Sequence, residues 1–109
     1  MIELSSRQRK LLEKYAQVLQ SVVIVGRNGV TEAVEQMADT ALADHELIKI
    51  SFNEFKDEKR NLAASLAQAC GAVLVRVIGN KAILYRPAEK SGDRKYEKAL
   101  EKAKARNGI

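Results

Sequence analysis

The chain has a single cysteine, Cys70, and a single histidine, His45, in 109 residues. Without a second thiol no intramolecular disulfide can form, a usage that suits a reducing compartment. The two residues lie far apart with no further Cys or His to join them, so a zinc site has no support. Cys70 instead reads as a small buried apolar residue, and His45 as a strand-start side chain beside Glu46. No apolar run approaches the roughly 20 residues of a membrane span. The opening Met1-Ile2-Glu3-Leu4-Ser5-Ser6 lacks the basic-then-apolar order of a secretion signal. These absences predict a cytoplasmic chain with no membrane partner. The acids have no serine or histidine partner that would suggest a catalytic triad, so no enzyme, cofactor or small-molecule substrate is expected.

What is present suffices for one domain, with an ordinary apolar fraction of 46%. The formal net charge of +5 is modest, but it is unevenly spread. Val30 to Glu46 holds five acids (Glu32, Glu35, Asp39, Asp44, Glu46) and no Lys or Arg. Bases gather in Arg7–Lys14, at Arg27, in Lys49–Arg60 and after Pro87, where seven bases face four acids. Such segregation can present a positive face to a phosphate backbone. Charge alone equally allows a solvated mixed surface.

Periodicity predicts the elements. Ser5 and Gln8 have capping-box spacing ahead of Leu11, Leu12, Tyr15, Ala16 and Leu19, which recur as on a helix. Arg7, Lys10 and Lys14 share one face of it. Ser21–Val25 reads as a strand buried on both sides. Val30, Val34, Met37, Ala38, Ala41 and Leu42 mark the buried stripe of a second helix, with Glu32, Glu35 and Asp39 on its wet face. His45–Phe52 alternates as a strand, with Ile48, Ile50 and Phe52 on one side. Asp57 is a candidate N-cap for a third helix that buries Leu62, Leu66 and Ala69, brings Lys56, Lys59 and Arg60 in its first turns, and stops at Gly71. Ala72–Ile78 and Lys81–Arg86 are strands joined by the hairpin signal Gly79-Asn80. In the first of these Val73, Val75 and Val77 are expected on one face, Leu74 and Ile78 on the other. The fold class is α/β, in the order α-β-α-β-α-β-β with a four-stranded mixed sheet covered on both faces. Residues 1–88 form the expected domain. Residues 89–109 form a charged C-terminal tail, helical or disordered, with Leu100 its only large aliphatic residue before the terminus and so little to bring to a core.

One motif carries chemistry. Gly26-Arg27-Asn28-Gly29 stands between a strand and a helix, where glycines allow a tight turn and close approach of another molecule. A helix starting there would aim its free amides and positive dipole end at the loop, a corner suited to phosphate, with Arg27 as a forked donor and Asn28 as a polar contact. The same spacing also fits a plain strand-to-helix turn. It is not a nucleotide-triphosphatase loop, because no Lys follows the second glycine, nor a dinucleotide fingerprint.

Several stretches together resemble the YhbY/CRM family, named for chloroplast RNA splicing and ribosome maturation. They are Leu4–Lys10 with its Arg/Gln/Arg pattern, Val25–Thr31 around the glycine loop, His45–Ile50, Gly71-Ala72, Val77-Ile78-Gly79 and Leu84-Tyr85-Arg86. They span Leu4 to Pro87 in the family's order. The resemblance implies a fold similar to the C-terminal domain of initiation factor three, and RNA binding. Bacterial single-domain members are associated with precursors of the large ribosomal subunit, and plant members with group II intron splicing. The loop is also similar to the backbone clamp of KH domains, although there it joins two helices.

The resulting expectation is an RNA-binding, ribosome-assembly protein that grips RNA backbone at Gly26, Arg27, Asn28 and Gly29. Lys49, Lys56, Lys59 and Arg60 would extend the contact, and Arg7, Lys10 and Lys14 would add to it. The aromatics (Tyr15, Phe52, Phe55, Tyr85, Tyr96) favour backbone and shape recognition over stacking. Tyr15 and Phe52 fit buried stripes, and Tyr85 alone is a candidate for an exposed ring. The alternative is a ribosome-associated protein-interaction module using the acidic second helix, with no direct RNA contact.

Overall fold

The computed structural model describes residues 3–107, with side chains through Lys104. Its first helix, α1 (Ser6–Ala16), opens on the expected capping box. The Ser5 hydroxyl accepts from the Gln8 amide at 3.1 Å, and the Gln8 side-chain oxygen accepts from the Ser5 amide at 2.9 Å. There follow β1 (Ser21–Val25), α2 (Glu32–His45), β2 (Leu47–Phe52), α3 (Lys59–Ala69), β3 (Val73–Ile78) and β4 (Lys81–Tyr85). A 3-10 turn (Ser91–Asp93) then leads to α4 (Glu97–Asn107). The expected order through β4 is observed.

The strands form one sheet in the order β1-β2-β4-β3. β1 runs parallel to β2, while β4 is antiparallel to both neighbours. Helices α2 and α3 cover one face, burying Val23, Val25, Ile48, Ile50, Phe52, Leu66 and Leu84. The other face packs Leu47, Val75, Ile83 and Tyr85 against Leu12 and Ala16 of α1 and Leu100 of α4. Helix α3 ends as Gly71 predicted. Gly71 takes φ +65°, its amide donates to the Gln68 carbonyl, and the Ala72 amide reaches back to Ala67 at 2.8 Å.

The structure differs from expectation in ways that matter for the surface. β1 is an edge strand, not an interior one. Val23 and Val25 are buried, but Val22 and Ile24 point to the α1 side of the sheet, where no helix covers them, and stay 42% and 55% exposed. The alternation expected of β3 is broken by a register shift between Leu74 and Arg76. Leu74 and Val77 therefore pack on the α2–α3 side, and Val75 on the other. The Arg9 guanidinium donates to the Leu74 and Val75 carbonyls at 2.8 and 2.9 Å, which satisfies backbone freed by the irregularity. Met37 lies off the buried stripe of α2 and is 54% exposed. His45 closes α2 instead of opening β2. Helix α3 starts at Lys59 behind Glu58, so Asp57 is not its N-cap and Lys56 precedes the helix.

The segment after Pro87 also has more to pack than its composition suggested. Leu100 and Ala103 are buried, and Tyr96 lies against Tyr15 and Tyr85 with ring centroids 5.5 and 6.3 Å away. Buried Gln8 donates to the Leu100 carbonyl at 3.0 Å. The segment is tied down by Glu46, the residue between α2 and β2, whose backbone takes φ +65°. Its carboxylate is almost fully buried and accepts from the amides of Ala88 and Lys95. A small aliphatic count misled here because alanines and one tyrosine supply much of the contact.

Candidate functional site

Parallel pairing of β1 with β2 sends the ends of both strands to the same edge of the molecule, and the antiparallel β4 brings the Gly79-Asn80 hairpin there as well. The Asn53 amide donates to the Val25 carbonyl at 3.0 Å, and the Phe52 amide to the Asn80 carbonyl at 2.8 Å. Three loops therefore cluster at this end: Gly26–Gly29, residues 53–58, and the hairpin.

Gly26-Arg27-Asn28-Gly29 is a single tight turn. The Gly29 amide donates to the Gly26 carbonyl at 3.0 Å, which leaves Arg27 and Asn28 exposed at its tip. Only Gly29 needs the left-handed region, with φ +72°. Helix α2 does not begin at the turn, as the sequence suggested, but at Glu32, behind the N-cap Thr31, whose hydroxyl accepts from the Val34 amide at 3.2 Å. Its first turn carries Glu32 and Glu35. Two carboxylates there offset the positive helix end, so attraction for an anion at this corner falls to Arg27 and the turn itself.

The expected site residues divide into groups. Arg27 and Lys56 line one hollow together with Glu54, Phe55, Asp57 and Glu58. Lys59 and Arg60 begin α3 directly after it. Arg60 borders a second groove with Lys10 of α1, Arg9, Glu13 and Arg76. The Arg76 guanidinium is engaged by Glu13 at 3.1 Å. Lys10 also lines a third groove, with Arg7, Lys14 and Lys102 around Leu11, Tyr15, Ala99 and Ala103. Lys49 stands apart. It lies four residues before Asn53 along β2, roughly 13 Å from the turn at ordinary strand rise, on the α1 side of the sheet beside the bare flank of β1.

Other residues have structural tasks. Arg86 holds the Cys70 carbonyl at 2.8 Å and the Asp39 carboxylate at 2.6 Å, so it joins the end of β4 to the middle of α2 and the C-terminal end of α3. Burial pushes the Cys70 thiol up, with Asp39 adding to the effect, which opposes thiolate formation. Tyr85 is buried, so it is not an exposed ring, and burial together with Glu46 pushes its phenol up to about 12. Among the described residues no group of three or more His, Cys, Asp or Glu could hold a metal, and no helix is long and apolar enough to cross a membrane. The residue that sequence reasoning missed is Phe55. It is 40% exposed beside Gly29, and its backbone takes φ +57°. An aromatic without a place in any periodic stripe was the available signal.

A basic α/β domain with a strand–turn–helix glycine corner and helices on both sheet faces is the class defined so far. The chain belongs to the CRS1/YhbY (CRM) domain family, whose model matches residues 4–86. It is 35% identical to an RNA-binding protein of Haemophilus influenzae over 84% of this chain and 93% of that one. It is 34% identical to a protein of Methanocaldococcus jannaschii named "Probable RNA-binding protein", over 86% of this chain and 70% of that one. The solution structure of a hypothetical Staphylococcus aureus protein, described as a candidate RNA-binding protein, superposes with a TM-score of 0.71. That match is 29% identical and covers 85% of this chain and 98% of that one.

Proposed function

We propose that this chain is a non-enzymatic RNA-binding protein that docks on folded precursor RNA of the large ribosomal subunit and assists its assembly in the cytoplasm. The observation that carries the reading, beside family membership, is the continuity of the basic surface. Lys10 borders both the groove of Arg60 and that of Arg7, Lys14 and Lys102, so bases of α1, α3 and α4 frame one surface that reaches the loop end of the sheet. Gly26–Gly29 would grip backbone there, with Arg27 and Asn28 toward phosphate and Lys56, Lys59 and Arg60 extending the contact. Lys49 would reach a separate stretch of the same RNA.

Such a contact is electrostatic, so affinity should fall steeply with salt, each neutralised phosphate adding about 0.7–0.9 to the log–log slope. The sharper test is Arg27→Asp with Asn28→Asp, both glycines kept. Gly29 still supplies the positive φ, and Asp is tolerated at turn positions, so circular dichroism and Tm should barely change. Two negative charges at the turn tip, with the arginine's charge-assisted bonds lost at about 1.5–3 kcal/mol each, should weaken binding at least tenfold. Glu32→Gln with Glu35→Gln, beside the turn, should leave binding equal or tighter. A folded loop variant that binds like the parent would reduce Gly26–Gly29 to a turn. The rival reading, a protein-interaction module, has the exposed Met37 on the acidic helix in its favour. Nuclease treatment during a ribosome pull-down separates the two, since only an RNA-borne association collapses.

A further inference from the structure

Phe55 is placed at a cost that the core does not explain. A phenylalanine in the left-handed region is a backbone outlier, since its Cβ crowds its own chain. The core gains little in return, because Phe52 already fills this end of the sheet and is fully buried, whereas Phe55 stays 40% exposed. The conformation lays the ring on the glycine turn. Its Cε2 and Cζ lie 3.5 and 3.8 Å from where a Gly29 Cβ would stand. The Glu58 amide closes the loop onto the Phe55 carbonyl at 3.0 Å and so fixes the backbone that carries the ring. Strain held in an exposed position by its surroundings points to a contact with another molecule.

The hollow around the ring measures 460 Å³ and is lined by Arg27, Glu54, Lys56, Asp57 and Glu58. Three carboxylates against the two cations Arg27 and Lys56 leave its lining net negative, which disfavours a phosphate inside it while leaving both cations available to backbone at its rim. The carboxylates are acceptors only, which suits the edge of a neutral base rich in N–H groups. Guanine presents two adjacent donors on its Watson–Crick edge. Adenine and cytosine each present one amino group beside an acceptor. Uracil presents a single N–H between two carbonyl oxygens. An aromatic ring accepts the face of any base, so the carboxylates decide among them.

We propose that this hollow takes one unpaired base of the bound RNA, stacked on Phe55 with its donor edge toward Glu54, Asp57 and Glu58, and that guanine fits it best. The proposal rests on the RNA-binding reading above and adds a base-selective step to a backbone clamp.

The test uses the full chain and RNA hairpins that differ only in a single bulged nucleotide, G, A, C or U, titrated by fluorescence anisotropy at one fixed salt concentration. The parent should bind the G hairpin tightest and the U hairpin weakest, with a spread of about tenfold. Phe55→Gly relieves the positive φ and so preserves the fold. It should weaken the G hairpin about tenfold and level the four affinities. Phe55→Tyr should keep the parent's ranking. If Phe55→Gly keeps the parent's affinity and ranking, the stacking site is overturned. An equal loss on all four RNAs overturns the guanine assignment. The Arg27→Asp, Asn28→Asp variant separates the two readings. A parent without base preference, whose binding that variant still abolishes, sinks the base site and leaves the backbone clamp standing. A parent that binds none of the four removes both.

Discussion

The two faces of the sheet are built differently. On one, α2 and α3 lie over Val23, Val25, Ile48, Ile50, Phe52 and Leu84, and every strand contributes. On the other, α1 covers only part of the sheet, α4 completes the cover beside it, and β1 is left bare. The first face is a closed core made from consecutive elements. The second is a half-open layer whose uncovered parts carry Lys49 and whose helices carry Arg7, Lys10 and Lys14. The larger buried cluster lies on one side of the sheet and most of the candidate binding charge outside the loops on the other.

This contrast can be broken most severely at Phe52. Phe52→Ala opens a cavity in the closed core and should cost about 3–5 kcal/mol in urea unfolding, whereas Leu12→Ala on the half-open face should lie near 2–3 kcal/mol, because α1 can settle inward. Equal costs would mean that the two faces are equally rigid. Truncation after Pro87 comes next. Residues 1–87 should still fold, but without the cover of Tyr96, Leu100 and Ala103 they should melt on the order of 10 °C lower. An unchanged Tm would show that α4 adds nothing to the half-open layer.

The smallest effect is confined to alkaline pH. The Tyr85 phenol is pushed up to about 12 in the folded protein, against an ordinary value near 10 in the unfolded chain. Between these values the folded state keeps a proton that the unfolded state has lost. The stabilisation is fully present below about pH 10 and disappears as pH rises toward 12. Tyr85→Phe should therefore lose less stability than the parent between pH 10 and pH 12. Parallel declines of the two urea midpoints would remove Tyr85 from the account.

Local signals were legible in the sequence: the Ser5–Gln8 box, the Gly71 stop, the Gly79-Asn80 hairpin and the order of elements through β4. What escaped depends on neighbours distant in the chain. Ser21–Val25 is as β-branched as an interior strand, but composition does not say that β1 has a partner on one side only. A β3 irregularity is invisible in a run of valines, and with it the reason why Arg9 is needed under Leu74 and Val75. Met37 has the right helical spacing, but the packed stripe of α2 runs through Val34, Ala38, Ala41 and Leu42 and leaves it 54% exposed. Of the candidate site, the turn and the bases could be read as residues, but not that Lys49 stands apart from the rest. The acids around Arg27 could be read as residues but not as neighbours, and Phe55 matters only because Gly29 lies beneath it.

The bare flank of β1 has a colloidal consequence. An edge strand without a charged residue, showing Val22 and Ile24 to solvent, is a template for pairing with a second chain. What opposes this is the mutual repulsion of molecules carrying a formal net charge of +5. Added salt screens that repulsion over a shorter distance, about 3 Å at 1 M, so the salt that strips RNA from the protein also brings its β1 edges within reach of one another. Light scattering should rise at the upper end of a salt titration, and a charge placed at Ile24 should abolish the rise.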